Sequence, residues 1–131
     1  MNWTYLGLVM LGGAFGAGLR YSLGHFALLH LGDRLPWGTL AANFLGSFLA
    51  GLLFEWLEGR GTAGTALRAL LIVGVMGGLT TYSSLMLELM AFGRTGQAER
   101  AVVYYALTLA GGLLLVWAGM RLGAWLRGPL A

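Results

Sequence analysis

Four stretches of this chain are apolar over roughly the 20 residues that carry a helix across a bilayer, and only short polar segments separate them. They run from Trp3 to about Leu31, Trp37 to about Leu57, Leu67 to about Gly93 and Ala101 to about Leu126. Lipid offers no hydrogen-bond partners, so each span must satisfy its own backbone, which makes the helix the expected structure for all four. Composition points the same way. Of 131 residues, 58% are hydrophobic and 10% charged, and the mean hydropathy is +0.76; a soluble surface needs far more charge. The expectation is an all-α integral membrane protein, residues 1–131 forming one domain of four transmembrane helices. Its 23 glycines suit that class, because small residues let helix backbones approach closely where lipid provides no hydrophobic drive to association.

Several function classes drop out. Every basic side chain is arginine, and the formal charge of +3 is spread among the connections rather than gathered in a run, so nucleic-acid binding is not indicated. There is no cysteine, hence no disulfide framework, thiolate metal site or thiol nucleophile. No Ser/His/Asp set, Walker loop or dinucleotide fingerprint gives an enzyme a foothold. The N-terminus lacks a basic segment ahead of its apolar run and reads as a retained span, not a signal peptide.

Pro36 is placed to start the second helix, Gly59-Arg60-Gly61-Thr62-Ala63-Gly64-Thr65 reads as a short polar connection, and Arg94 to Arg100 forms the next. Arg60, Arg68, Arg121 and Arg127 fall on the side of the termini, against Arg34, Arg94 and Arg100 on the other. So small a bias does not fix orientation by the positive-inside rule. A chain this balanced suits insertion both ways, with opposite orientations pairing as an antiparallel dimer. Four helices also enclose a polar pathway poorly by themselves, and glycine-rich faces such as Gly12 to Gly18, and Gly46 with Ala50, offer a contact surface.

The third span contains Gly74-Val75-Met76-Gly77-Gly78-Leu79-Thr80-Thr81-Tyr82-Ser83-Ser84-Leu85. Two glycines meet two threonines at mid-membrane depth, where a helix is expected to break. Broken helices in membranes are tolerated where the freed groups face protein, water or an ion, so the stretch reads either as an ion site or as a small-residue packing face with hydroxyls bonded back one turn.

Intramembrane polar residues are functional candidates because each must be paired or hydrated. Thr39, Asn43 and Ser47 recur at i, i+4 and i+8 on one face of the second span. Asn43 has two N–H donors for an anion, or serves as an interhelical clamp. Tyr104 and Thr108 share a face in the fourth span, continued by Gly112. Arg20 reads as snorkelling to the interface, and Glu88 as a pore-mouth group, a partner for Arg20 or an interfacial carboxylate. His25 and His30 read as interfacial packing residues rather than metal ligands.

Three motifs together carry a resemblance: Gly12 through Tyr21 (GGAFGAGLRY), Trp37 through Phe48 (WGTLAANFLGSF) and Gly77 through Ser84 (GGLTTYSS). In order, spacing and total length the chain resembles the Fluc (CrcB) fluoride channels. The resemblance implies a dual-topology antiparallel homodimer in the bacterial plasma or inner membrane, with two pores and a structural sodium ion at its centre. By the same resemblance the sodium is held by the main-chain oxygens of Gly77 and Thr80, and fluoride passes Asn43, Thr39, Ser84, Tyr104 and Thr108. Carbonyl ligation suits a hard cation, and hydroxyl and amide donors replace part of the hydration shell of fluoride.

The chain departs from the family where two phenylalanines usually line the pores: here those positions are Tyr82 and Leu85, so one ring gains a hydroxyl and the other is absent. Passive fluoride export that relieves fluoride toxicity is the leading expectation. Its rivals are a transporter, coupling fluoride to protons or exporting small cationic drugs, and a pore-impaired scaffold or partner subunit. Drug exporters of this size depend on a carboxylate in the first span, and this one has none; Glu88 is the carboxylate left to a proton-coupled scheme.

Overall fold

The structure, a computed structural model, describes residues 2–129. Helix α1 (Trp3–Leu31) starts where Asn2 caps it, its side-chain oxygen accepting the N–H of Thr4 at 3.0 Å and of Tyr5 at 3.4 Å. It ends at Gly32, whose φ of +74° lies in the left-handed region that suits glycine. Helix α2 (Trp37–Trp56) begins directly after Pro36. The third span comprises α3 (Gly61–Leu67), a π-helical segment (Arg68–Met76), the single turn α4 (Gly77–Leu79) and, beyond an interruption, α5 (Tyr82–Arg94). Helix α6 (Ala98–Arg127) is the fourth span.

Two boundaries move from where apolarity alone places them. The third span starts at Gly61, not Leu67, because the stretch taken for a polar connection is helical; Thr65 satisfies its own hydroxyl on the Gly61 carbonyl at 3.2 Å. The fourth starts at Ala98, three polar-flanked residues ahead of Ala101, with Glu99 in its first turn where a carboxylate favours the helix dipole. Pro36 stands just ahead of its helix and not inside the first turn.

The spans alternate in direction, as short connections require. Alongside α1, the register climbs together: a Cβ placed on Gly12 would lie 2.9 Å from the Gly74 Cα, and one on Gly16 would lie 2.8 Å from the Leu79 nitrogen. Spans one and three therefore run parallel with backbones touching. Helices α2 and α6 form the most extensive contact and are also parallel, with Gly51 and Gly119 admitting the partner backbone at Val116 and Phe48. The adjacent spans α1 and α2 cross at Gly24 and Gly38.

Few large side chains are buried within the chain. One cluster is Leu40, Leu85 and Tyr104; a second is Ala42, Met76 and Leu79. Trp3, Phe15, Tyr82, Trp117 and Trp125 are exposed, a surface suited to lipid or another subunit. At the end that carries the termini, Arg68 pairs with Glu58 and Arg127 with Glu55 at 3.2 Å, while Arg60 lies over the Trp56 ring at 4.3 Å. These contacts tie the span ends together.

Candidate functional site

The interruption of the third span is built by four residues. Met76 is the last carbonyl to receive a helical bond there, from the Thr80 N–H at 2.9 Å, and it also accepts the Thr80 hydroxyl at 2.9 Å. Thr80 then turns extended, with ψ of 152°, and Thr81 follows at φ −148° and ψ 117°. Thr81 is the N-cap of α5: its hydroxyl oxygen accepts the Ser84 N–H at 3.2 Å. Gly77 is helical, at φ −63° and ψ −37°, so the break expected around Gly77 and Thr80 lies at Thr80 and Thr81.

Asn43, one helix away, bridges it. Its side-chain oxygen accepts the Thr81 N–H at 2.7 Å, and its amide nitrogen donates to the Thr81 carbonyl at 3.2 Å. Gly46, one turn further along α2, has no Cβ and so makes room for the Thr80 methyl. Asn43 is thus the interhelical clamp considered from sequence, and it keeps one N–H uncommitted. That N–H belongs to a groove of about 540 Å³ lined by Asn43, Ser47, Thr80, Thr81, Tyr82 and Thr108 among others. Ser47 and Tyr82 carry hydroxyls with no hydrogen bond to another described residue, whereas the Thr108 hydroxyl donates to the Tyr104 carbonyl at 2.8 Å. Tyr82 is 74% exposed and Leu85 only 7%; the two positions of the altered aromatic pair have opposite surroundings.

A second polar cluster lies deeper along α5. Thr39 donates to one Glu88 oxygen at 2.6 Å and Tyr104 to the other at 2.6 Å. Glu88 therefore sits at the middle of α5 against a fully buried tyrosine, with hydroxyl partners in place of Arg20, which pairs with no described carboxylate. Thr39 and Tyr104, both expected along an anion path, have their hydrogens committed to this carboxylate. Ser84 takes a third position: it accepts the Thr81 hydroxyl at 3.0 Å and, with Arg20, Tyr21 and Thr39, borders a separate cavity of about 260 Å³.

The expected residues thus fall at the groove at the break (Asn43, Gly77, Thr80, Tyr82, Leu85, Thr108), in the carboxylate cluster (Thr39, Glu88, Tyr104) and at the Arg20 cavity (Arg20, Ser84), which Thr39 also borders. Sequence reasoning missed Thr81 as the residue Asn43 grips, and the two-hydroxyl seat of Glu88. The first had a signal, a threonine ahead of an apolar helical run; the second had none, because Thr39 and Tyr104 reach Glu88 from two other helices. His30 bonds the Phe26 carbonyl at 2.9 Å and stacks on the Phe26 ring, and among the described residues no three His, Cys, Asp or Glu side chains gather at metal-binding range.

Residues 7–120 match the family model described as CrcB-like protein, Camphor Resistance (CrcB). A protein named fluoride-specific ion channel FluC from Xanthomonas axonopodis pv. citri is 53% identical over 95% of this chain and 93% of its own length. Proteins of the same name from Xylella fastidiosa and Thermus thermophilus are 54% and 46% identical, covering 93% and 92% of this chain and 85% and 94% of their own lengths. Such relatives are channels, which sets enzymatic readings aside. With four helices long and apolar enough to cross a membrane and a family match over nearly its whole length, this multi-pass membrane chain belongs to the CrcB family.

Proposed function

We propose that the chain conducts fluoride passively and selectively across the bacterial plasma or inner membrane, as an antiparallel homodimer of dual topology stabilised by a structural sodium ion. The observation that carries this reading is the groove at the break, where the spare Asn43 N–H and the Ser47 and Tyr82 hydroxyls gather beside an exposed ring. It accords with relatives named fluoride-specific ion channels that match over 95% and 92% of the chain. Uncharged donors replace part of the shell of a strongly hydrated anion, and a narrow path denies larger chloride an equivalent fit. Fluoride enters cells as the neutral acid and ionises inside, so a passive leak for the anion relieves the load without nucleotide.

The sodium proposal agrees with the donor set. The helical partner of the Gly77 carbonyl would be the Thr81 N–H, which Asn43 takes; the Thr80 carbonyl is turned out of the helix by its extended ψ. Two hard oxygens from each of two subunits are chemically suited to an alkali cation, and when bound the ion offsets the negative ends of two helix halves.

The deciding experiment loads purified protein into liposomes with fluoride and follows efflux with a fluoride electrode, with no proton gradient imposed. Fluoride efflux without chloride efflux is the expected result. Efflux that appears only with a proton gradient favours the coupled reading, for which Glu88 on its two hydroxyls is the candidate; no efflux under either condition favours the scaffold.

A further inference from the structure

Asn43 spends both of its Thr81 bonds on main-chain atoms, although its helix carries it into the groove as a side-chain donor. The Thr81 N–H at 2.7 Å is the shorter of the two, and Thr81 is itself buried, 7% exposed. In lipid an amide without a partner is strongly disfavoured. Without Asn43 this N–H therefore has one acceptor within easy reach, the carbonyl four residues back on its own chain. That carbonyl belongs to Gly77, which already holds helical angles and needs no rearrangement to receive the bond. Accepting it draws Thr80 and Thr81 out of their extended conformations and into the helix, and turns the Thr80 carbonyl back toward the helix axis.

From this geometry we infer that Asn43 is the positioning residue of the carbonyl pair at Gly77 and Thr80: by capturing the Thr81 N–H it keeps the third span open and both oxygens available to a cation. The inference rests on the sodium reading above and extends it, because it ties the groove residue to the ion site through a single peptide unit. At the cation site Asn43 acts through Thr81 alone. The same two bonds fix the Thr81 peptide plane, so the N-cap of α5, formed by the Thr81 hydroxyl on the Ser84 N–H, depends on the same clamp. Gly46 completes the seat by leaving space for Thr80.

The experiment is a sodium titration of thermal stability on the purified full chain in detergent, with N-methyl-D-glucamine as the balancing cation, for wild type, Asn43→Ala and Asn43→Asp. Aspartate keeps an oxygen for the Thr81 N–H and discards the donor to its carbonyl. The expected result is a sodium midpoint raised tenfold or more by Asn43→Ala and changed by less than threefold by Asn43→Asp, even where both variants lose fluoride flux. Equal midpoints for wild type and Asn43→Ala overturn the inference and leave Asn43 a groove donor only. If wild type shows no sodium response, the sodium reading itself fails. Hydrogen exchange at the Thr81 amide then decides the clamp: faster exchange in Asn43→Ala than in Asn43→Asp supports it, and identical exchange in the two overturns it. Should Asn43→Ala not fold, the exchange comparison is made between wild type and Asn43→Asp, where preserved protection at Thr81 supports the clamp and lost protection overturns it.

Discussion

The two halves of the third span are held by different means. Before the break, residues 68–79 press backbone to backbone against α1, and the contact is made by what is missing: Gly12, Gly16, Gly74 and Gly78 leave no room for a Cβ. After the break, α5 rests mainly on α6 and is fastened by side chains, with Glu88 reaching Tyr104 and Thr39 and Leu85 packing on Leu40 and Tyr104. Where backbones meet, shape leaves no tolerance and chemistry hardly matters; where side chains meet, each polar partner must be matched but the backbone has room. The first half is built as a fixed wall, and the second as an arm whose hold is chemical.

The largest expected effect follows at the wall. A Cβ on Gly78 would sit 3.0 Å from the Gly13 Cα and closer still to its carbonyl oxygen. Valine there adds two further carbons against backbone that has no rotamer to change, so the cost exceeds the ~1–3 kcal/mol of ordinary overpacking. Gly78→Val, and likewise Gly12→Val, is expected to abolish the monodisperse peak in size-exclusion chromatography. A well-behaved Gly78→Val protein breaks the contrast between the halves at its strongest point.

Next in size is the arm. Glu88→Leu leaves the Thr39 and Tyr104 hydroxyls without acceptors, at about 1–3 kcal/mol for each unsatisfied group, so thermal stability falls while the protein remains folded. The pairing is tested by adding Thr39→Val and Tyr104→Phe to Glu88→Leu. The triple variant is expected to recover much of the stability, because replacing all partners by apolar groups removes the unmatched hydroxyls. No recovery shows that Glu88 holds α5 by something other than these two bonds.

These particulars show what a sequence discloses. The bounds of α1 follow from apolarity, and the break was legible because glycines beside threonines are poor helix at a depth where helix is obligatory. The π-helical segment Arg68–Met76 was not legible. An apolar run reads alike whether it winds at four or five residues per bond. Asn43 stood out as an intramembrane amide, yet its partner, a peptide group in another span, has no signature in residue type. The seat of Glu88 was hidden for a related reason: its two hydroxyl partners come from helices that only the fold brings together.

A smaller effect attends Leu85. The position is 7% exposed and packs on Leu40 and Tyr104, so a phenylalanine there must displace neighbours and costs about 1–3 kcal/mol. Leu85→Phe is expected to lower thermal stability while leaving fluoride flux unchanged or raised, since a ring edge is favourable to an anion. Tyr82→Phe, at an exposed ring whose hydroxyl has no described partner, should alter neither by much. Loss of flux in Leu85→Phe with stability intact would assign Leu85 to the path itself.

The smallest effect on the subunit is expected at Gly77, and it is the sharpest test of the wall. Gly77 adjoins Gly78 in sequence but faces the other way: nothing lies within 4 Å of a Cβ placed on it except the Ile72 carbonyl at 4.0 Å, and its angles are those of any helical residue. Backbone freedom is therefore not the reason for a glycine here. In an isolated subunit, Gly77→Ala should stabilise by about 0.5–1 kcal/mol, the usual gain from glycine to alanine within a helix, whereas Gly78→Ala should destabilise through the same clash that excludes valine. If the open face at Gly77 receives a second copy, the added methyl falls between the two, and Gly77→Ala should weaken assembly in a concentration-dependent way while the subunit stays folded. Sedimentation across a dilution series separates these effects. A Gly77→Ala protein that remains a dimer at every concentration, with unchanged sodium response, shows that the second copy docks elsewhere and that this glycine is spared for no reason the packing supplies.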